Sequence, residues 1–377
     1  MKLKWVKKAM SVLLAAMMVF SLTACSSSSS DSSSDEEETE EAEEEEEEEE
    51  EEADSSDSDS DSDDCPEVTS TETIEIVWSH NAAESSVQHL MALKFKEEVE
   101  ERSNGYVTVT IYPNGELGTV SENDQALREG TIQVMSGTSG GLADDTLAYF
   151  DLPCMVTSNE EFEELFGRGT ELREITEERY NDMNMVCLAL EPAGFGIISS
   201  NVEVTCYEDL EGLNIRTSEN SIQMEMFSDW GCNPTPVSFS ELYIALQQGL
   251  VDAQNNTLDT TVSSGLQEQQ KYIIETKHSV MALGFYMNLD FYNSLPDDVR
   301  EMIDWVCENI MDDYIVEEAE AAEEAAMETV LEEGLEVIEF TDEDRAKMLE
   351  AAEPVYEMVA ELAGEEVVEL IQSQISD

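Results

Sequence analysis

The side chains able to do chemistry narrow the field by elimination. His80, His89 and His278 are the only imidazoles in 377 residues. None sits beside a serine or cysteine in a nucleophile-elbow context, so nucleophilic catalysis has no visible base. Paired carboxylates can act as acid and base, but 89 acids make chance pairs ubiquitous and empty the signal. Cys65, Cys154, Cys187, Cys206, Cys232 and Cys307 are scattered without a C-x-x-C pair, which argues against a zinc ribbon. Export would permit disulfides among them, and buried free thiols suit the spacing equally. No phosphate-cradling G-x-x-x-x-G-K-[ST] loop is present, and no metal or cofactor is expected. What remains is fixed positive charge. An arginine's guanidinium is a planar fork of donors that matches a carboxylate and stays charged at any relevant pH, and it serves a ligand or a structural salt bridge equally.

Alternating patterns predict the elements that would position these groups. Thr73 to Ser79 reads as a strand with Ile74, Ile76 and Trp78 on one face. Ser85 to Arg102 reads as an amphipathic helix through Val87, Leu90, Met91, Phe95 and Val99. A strand from Tyr106 to Tyr112, a helix from Ser121 to Glu129 capped by Ser121, and a strand from Thr131 to Met135 follow. This β-α-β-α-β order predicts a mostly parallel sheet flanked by helices. The second half repeats the scheme, with strands over Met185 to Glu191, Gly196 to Ser200, Leu213 to Arg216 and Leu250 to Ala253. Helices are predicted over Ser221 to Trp230 and behind a Ser238–Glu241 capping box. A long helical region opens at Pro296 and runs to about Glu333. A strand (Glu336 to Phe340) and helices (Thr341 to Ile375) close the chain. Ala126-Leu127-Arg128-Glu129-Gly130-Thr131-Ile132 is echoed by Ala245-Leu246-Gln247-Gln248-Gly249-Leu250-Val251. Both read as helix, glycine stop and strand, which supports two similar α/β lobes with a ligand cleft between them.

Three stretches carry a family resemblance. They are Tyr112-Pro113-Asn114-Gly115-Glu116-Leu117-Gly118; Leu210-Glu211-Gly212-Leu213-Asn214-Ile215-Arg216; and Asn233-Pro234-Thr235-Pro236 through Phe239-Ser240-Glu241-Leu242-Tyr243 to Asp252-Ala253-Gln254-Asn255-Asn256. Together the chain resembles, from about residue 73 to 370, the solute receptors of tripartite ATP-independent periplasmic (TRAP) transporters, DctP type. The resemblance implies a two-lobed periplasmic-binding-protein-like α/β fold with a hinge and a long lobe-spanning helix. Its lobes would be 66–193 plus 282–321, and 194–281 plus 322–377. It implies Arg216 as the clamp for a ligand carboxylate, with Asn256, Phe239 and Asn81 beside it; without the resemblance, Arg216 suits a structural salt bridge equally, Asn256, which can donate and accept, suits a turn after a strand, and Phe239 suits the core. His80 precedes Asn81 and reads as a pH sensor or a satisfied surface histidine. Many members carry a second arginine about 20 residues before the motif arginine. Here that stretch is Ala193-Gly194-Phe195-Gly196-Ile197, which points to a monocarboxylate. The implied partners are a small organic acid and the small and large TRAP membrane subunits.

The ends and the charge bear on location. Lys2, Lys4, Lys7 and Lys8 precede an apolar stretch from Ala9 to Leu22 and then Leu22-Thr23-Ala24-Cys25. That is a secretory signal, too short to be a membrane span, and it resembles a lipobox with Cys25 lipidated, an anchor on the outer face of the membrane. Residues 26–64 hold 23 acids and no base, so they cannot offset the entropy of ordering. They read as a solvated tether reaching roughly 35 Å or more, or as a calcium-capturing or docking tail. The remainder has 66 acids against 13 bases, which excludes nucleic acid as a partner. The same fold could instead serve a sensor or an adhesin, and a secreted enzyme is the third reading.

Overall fold

The computed structural model describes residues 65–140 and 143–375. The expected signal peptide, Cys25 and the acidic tether lie outside them. The strands are β1 (Ile74–Ser79), β2 (Val107–Tyr112), β3 (Val134–Thr138), β4 (Met185–Phe195), β5 (Ile197–Ser200), β6 (Asn214–Thr217), β7 (Asn233–Pro236), β8 (Ala253–Asn256), β9 (Tyr272–Glu275), β10 (Val280–Asn288) and β11 (Glu336–Glu339). The helices are α1 (Val87–Arg102), α2 (Val120–Arg128), α3 (Asn159–Phe166), α4 (Glu171–Asp182), α5 (Ser221–Asp229), α6 (Phe239–Gln247), α7 (Leu258–Ser263), α8 (Leu289–Ser294), α9 (Asp297–Val306), α10 (Asp312–Glu333), α11 (Asp342–Ala351), α12 (Glu353–Ala363) and α13 (Glu365–Ile375).

These form two lobes, each built on one mixed sheet. The first runs β2-β1-β3-β10-β4 and the second β11-β9-β5-β8-β6-β7. In the first, β1 pairs parallel with β2 and β3, as the sequence order predicts. The expectation of a mostly parallel sheet is corrected by β10, which pairs antiparallel with both β3 and β4. Strand β10 has nearly every residue buried, so it lacks the alternation that marks a half-exposed strand. Alternation does place Ile76 and Trp78 of β1 inward. The Trp78 ring meets Phe95 of α1 at 5.3 Å and Phe285 of β10 at 5.0 Å, within the range where aromatic pairs add to apolar burial.

The chain crosses between the sheets three times. Gly196 separates β4 from β5, residues 276–279 join β9 to β10, and the helical run from Asp297 leads to β11. That run is α9, a π turn over Cys307–Met311, and α10. Its Val299, Met302, Ile303, Met311 and Ile315 join the core of the first lobe, and its Ala326 and Val330 pack with Ile197 and Ile273 of the second. One helical rod therefore serves both lobes. After it, α12 returns to the 3₁₀ turn over Asp145–Asp151, where the Tyr356 hydroxyl donates to the Pro153 carbonyl at 2.8 Å.

Three local expectations change. Helix α2 is capped by Thr119, whose hydroxyl accepts from the Glu122 N–H while the Glu122 carboxylate accepts from the Thr119 N–H, so Ser121 already lies inside the helix. Ser238 makes no cap to the backbone of α6; its hydroxyl donates to the Glu241 carboxylate at 2.8 Å instead. Strands β3 and β8 each begin four residues past a glycine, later than expected. Gly130 and Gly249 adopt φ +74° and +66°. The next residues, Thr131 and Leu250, donate back to Ala126 and Ala245 at 2.8 and 2.9 Å. Both are Schellman closures, which consume the residues that alternation alone assigns to a strand. Cys154, Cys187, Cys206, Cys232 and Cys307 are free thiols.

Candidate functional site

A cavity of about 200 Å³ opens where strand ends and helix starts of both lobes converge. From the first lobe come Asn81 beyond β1, Val87 and Gln88 at the start of α1, and the end of β3. From the second come Arg216 of β6, Asn220 capping α5, Phe239 opening α6, and Asn255 and Asn256 of β8. Ligand sites in α/β folds gather at such carboxyl ends of strands. Arg216, Asn256, Phe239 and Asn81 thus all line one cavity.

Arg216 is held by its strand. β6 sits between β7 and β8, with Arg216 opposite Thr235 and Gln254. Its Nε donates to the Val237 carbonyl at 2.9 Å, and the side chain is 4% exposed. Among the described residues it forms no ion pair, whereas Arg128, Arg168, Arg173, Arg300 and Arg345 all do. Burial pulls its pKa down to about 10, only partly offset by the field of Glu219. A guanidinium fixed at one nitrogen, desolvated and without a counter-ion is prepared for an anion from outside.

The other three differ in how free they are. Asn81 donates to the Gly118 carbonyl at 2.8 Å and accepts from Asn123 at 3.1 Å, so its amide also ties down the turn before α2. Gly115 passes close enough that a Cβ there would lie 2.8 Å from the Asn81 Nδ2. Asn256 is the last residue of β8 rather than a turn residue, and its amide donates to Gln254. Phe239 packs against the small core of Val237, Leu242 and Leu246 while facing the cavity, so it is both core and wall.

Sequence reasoning passed over two groups. Asn255 lines the cavity, is 8% exposed, and its Oδ1 has no hydrogen-bond partner. Asp259 of α7 also lines it; burial pushes its carboxyl up to about 6, held back by a hydrogen bond from the Val87 N–H. His80 is corrected: it is fully buried, not at the surface, and its Nε2 lies 3.0 Å from the His89 Nδ1. Burial, reinforced by His89, lowers it to about 4. His278 is likewise buried, behind Gly196, with its ring near Phe227 and Trp230. Beside the stretch without a second arginine, Lys277 lies 5.9 Å from the Phe195 ring but is exposed and outside the cavity wall. Among the described residues no His/Cys/Asp/Glu group could hold a metal, and no helix is long and apolar enough to cross a membrane.

Known proteins share this plan. The C4-dicarboxylate-binding periplasmic protein DctP of Rhodobacter capsulatus is 28% identical over 310 residues, 81% of this chain and 92% of that protein. The ectoine-binding periplasmic protein TeaA of Halomonas elongata is 26% identical over 80% of this chain and 89% of that one. The crystal structure of the sugar acid binding protein DctPAm from Advenella mimigardefordensis, in complex with galactonate, superimposes with a TM-score of 0.76 over 81% of this chain and 99% of that chain, at 24% identity. Residues 78–362 match the model of the family described as bacterial extracellular solute-binding protein, family 7 (DctP), and the chain belongs to that family of TRAP-type solute-binding proteins, a transport family rather than an enzyme family.

Proposed function

We propose that the cavity captures a small organic acid, whose carboxylate pairs with Arg216, and that the protein hands this cargo to the small and large membrane subunits of a TRAP transporter. The observation that carries this reading is the buried Arg216 guanidinium, without an ionic partner, on the wall of a cavity lined by both lobes. In an apolar setting its donors are worth far more to a carboxylate than in water. The relatives support the ligand class, since by their names they bind a C4 dicarboxylate, ectoine and galactonate. Arg216 is the only base on the cavity wall among the described residues, which favours a single carboxylate. Asn256 and Phe239 complete the grip, and Asn81 positions the turn beside it.

The lobes, 66–193 plus 282–321 and 194–281 plus 322–377, close about the crossings at Gly196 and 276–279, burying the cargo. Lipid on Cys25 holds the receptor to the outer face of the membrane, with residues 26–64 as the spacer.

Calorimetry with a panel of small carboxylates tests the ligand reading. Arg216→Ala costs about 3 kcal/mol or more of binding, the scale for breaking a desolvated charge pair. Arg216→Lys also weakens it, because the planar fork is lost. Equal affinity of Arg216→Ala and wild type removes the arginine from the site. Mass spectrometry of the N-terminal peptide, with Cys25→Ala as control, tests the anchor.

A further inference from the structure

Two opposite charges face the cavity without meeting. Arg216 and Asp259 both line it. Neither forms an ion pair among the described residues, and the field at Arg216 comes from Glu219, not from Asp259. The two therefore sit at separate places on the wall and do not neutralise each other. Asp151 adds a second acidic side chain to the same wall. A cavity meant only for an anion gains nothing from this arrangement, because a carboxylate bound at Arg216 would leave Asp259 in a space from which the cargo has displaced water. An ionised group in that position is costly unless something pairs with it.

The acceptor chemistry around Asp259 is incomplete. Its carboxylate forms no ion pair among the described residues, and the Val87 N–H at the first turn of α1, which belongs to the opposite lobe, partly offsets the effect of burial on it. A carboxylate has about four lone-pair sites, so most of its capacity stays open. Asn255, more than nine-tenths buried on the same wall and four residues away in sequence, leaves its Oδ1 without a donor. Open acceptors on two residues of one cavity wall call for a ligand group with several N–H donors and a positive charge.

We infer that the solute is a zwitterion, with its carboxylate on Arg216 and a cationic nitrogen on Asp259, Asn255 supplying a further acceptor. This rests on the carboxylate reading of the cavity and narrows it to a dipolar solute. Asp259 is then the residue that separates amino or amidinium acids from plain organic acids.

Calorimetry on the purified, ligand-free protein decides the matter with three matched series: ω-amino acids from glycine to 6-aminohexanoate, the fatty acids of equal length, and the ω-hydroxy acids of equal length. At the chain length that spans the two charges, the amino acid binds at least tenfold tighter than its two analogues. Asp259→Asn erases that preference, and Asp259→Glu, which keeps the charge, restores part of it, a pattern that a folding defect would not produce. The melting point of each variant checks integrity. If the fatty acid or hydroxy acid binds as tightly at every length, or if Asp259→Asn leaves the amino preference intact, the zwitterion assignment is overturned while carboxylate binding stands. If no carboxylate in any series binds, both readings fall.

Discussion

Replacing Arg216 with methionine stabilises the ligand-free protein while abolishing capture. Burial lowers the Arg216 pKa from the ordinary 12.5 to about 10. At pH 7 to 8 the side chain is charged in both folded and unfolded chains, so folding carries the whole cost of desolvating it, about 3 kcal/mol. Methionine has a similar reach and no charge. It forfeits the Nε–H donated to the Val237 carbonyl, worth about 1 kcal/mol. The net is a gain of about 2 kcal/mol. With about 2 cal/mol/K of unfolding entropy per residue over the roughly 310 residues of the folded part, that raises the melting temperature by about 3 °C. Saturating carboxylate at 100 times its Kd adds about 2.7 kcal/mol to wild type and nothing to the variant. Differential scanning calorimetry on protein stripped of solute by unfolding and refolding reads both effects. A variant that melts at or below wild type, or that still responds to ligand, refutes the account of Arg216 as an uncompensated charge held for an anion.

The pH profile of the ligand-free protein tests another buried group. Glu191 of β4 is 5% exposed, and burial, joined by the field of Asp312 and only partly offset by Arg173, pushes its carboxyl up to about 8. Between its unfolded value near 4.3 and 8 the folded state holds a proton that the unfolded state has lost, so stability falls as pH rises, by up to about 1.4 kcal/mol per pH unit. His80 and His278, lowered by burial to about 4 and 3, have the opposite sign and lose stability only as pH falls below about 6.5. The melting temperature therefore drops from pH 6.5 to 8, and Glu191→Gln flattens that slope; an unchanged slope contradicts the assignment. At the crossing, a Cβ on Gly196 would lie 2.9 Å from the His278 ring and closer still to the Ser279 hydroxyl. Gly196→Ala thus costs about 1–3 kcal/mol in denaturant unfolding, and a neutral result refutes the close approach of His278 and Ser279 at the crossing. In α2, Thr119→Ala costs about 1 kcal/mol and Ser121→Ala almost nothing, because only Thr119 caps the helix; equal effects would return the cap to Ser121.

Legibility followed chemistry that local spacing can encode. The alternation of β1, the helical stripe of α1 and the Gly130 and Gly249 closures each act within a few residues, so they could be read. Strand β10 could not, since Val280-Met281-Ala282-Leu283-Gly284-Phe285-Tyr286-Met287 is a continuous apolar run that suits a buried helix as well as a central strand. Missing it hid the antiparallel half of the first sheet. The charged helices α3 and α4 were missed too, although Ser158 and Thr170 cap them. Arg216, Asn256 and Phe239 were legible because spaced motifs name them, and Asn81 because it follows the family's first strand; all four line the cavity. Asp259 was not, because one acid among 89 has no local mark; only the cavity sets it apart.

The charge distribution gives that contrast its meaning. The folded part carries 66 acids against 13 bases, so its outer field repels anions. At physiological ionic strength that field fades over about 8 Å, and inside a narrow cavity the nearest fixed groups dominate. Those are one guanidinium and two carboxylates. A simple anion must approach against the outer field and then lie beside Asp259. A solute with no net charge is spared the repulsion outside and satisfies both signs within. The acidic surface and the bipolar cavity therefore favour the same kind of cargo, although one reflects bulk composition and the other the placement of single residues on β6 and α7.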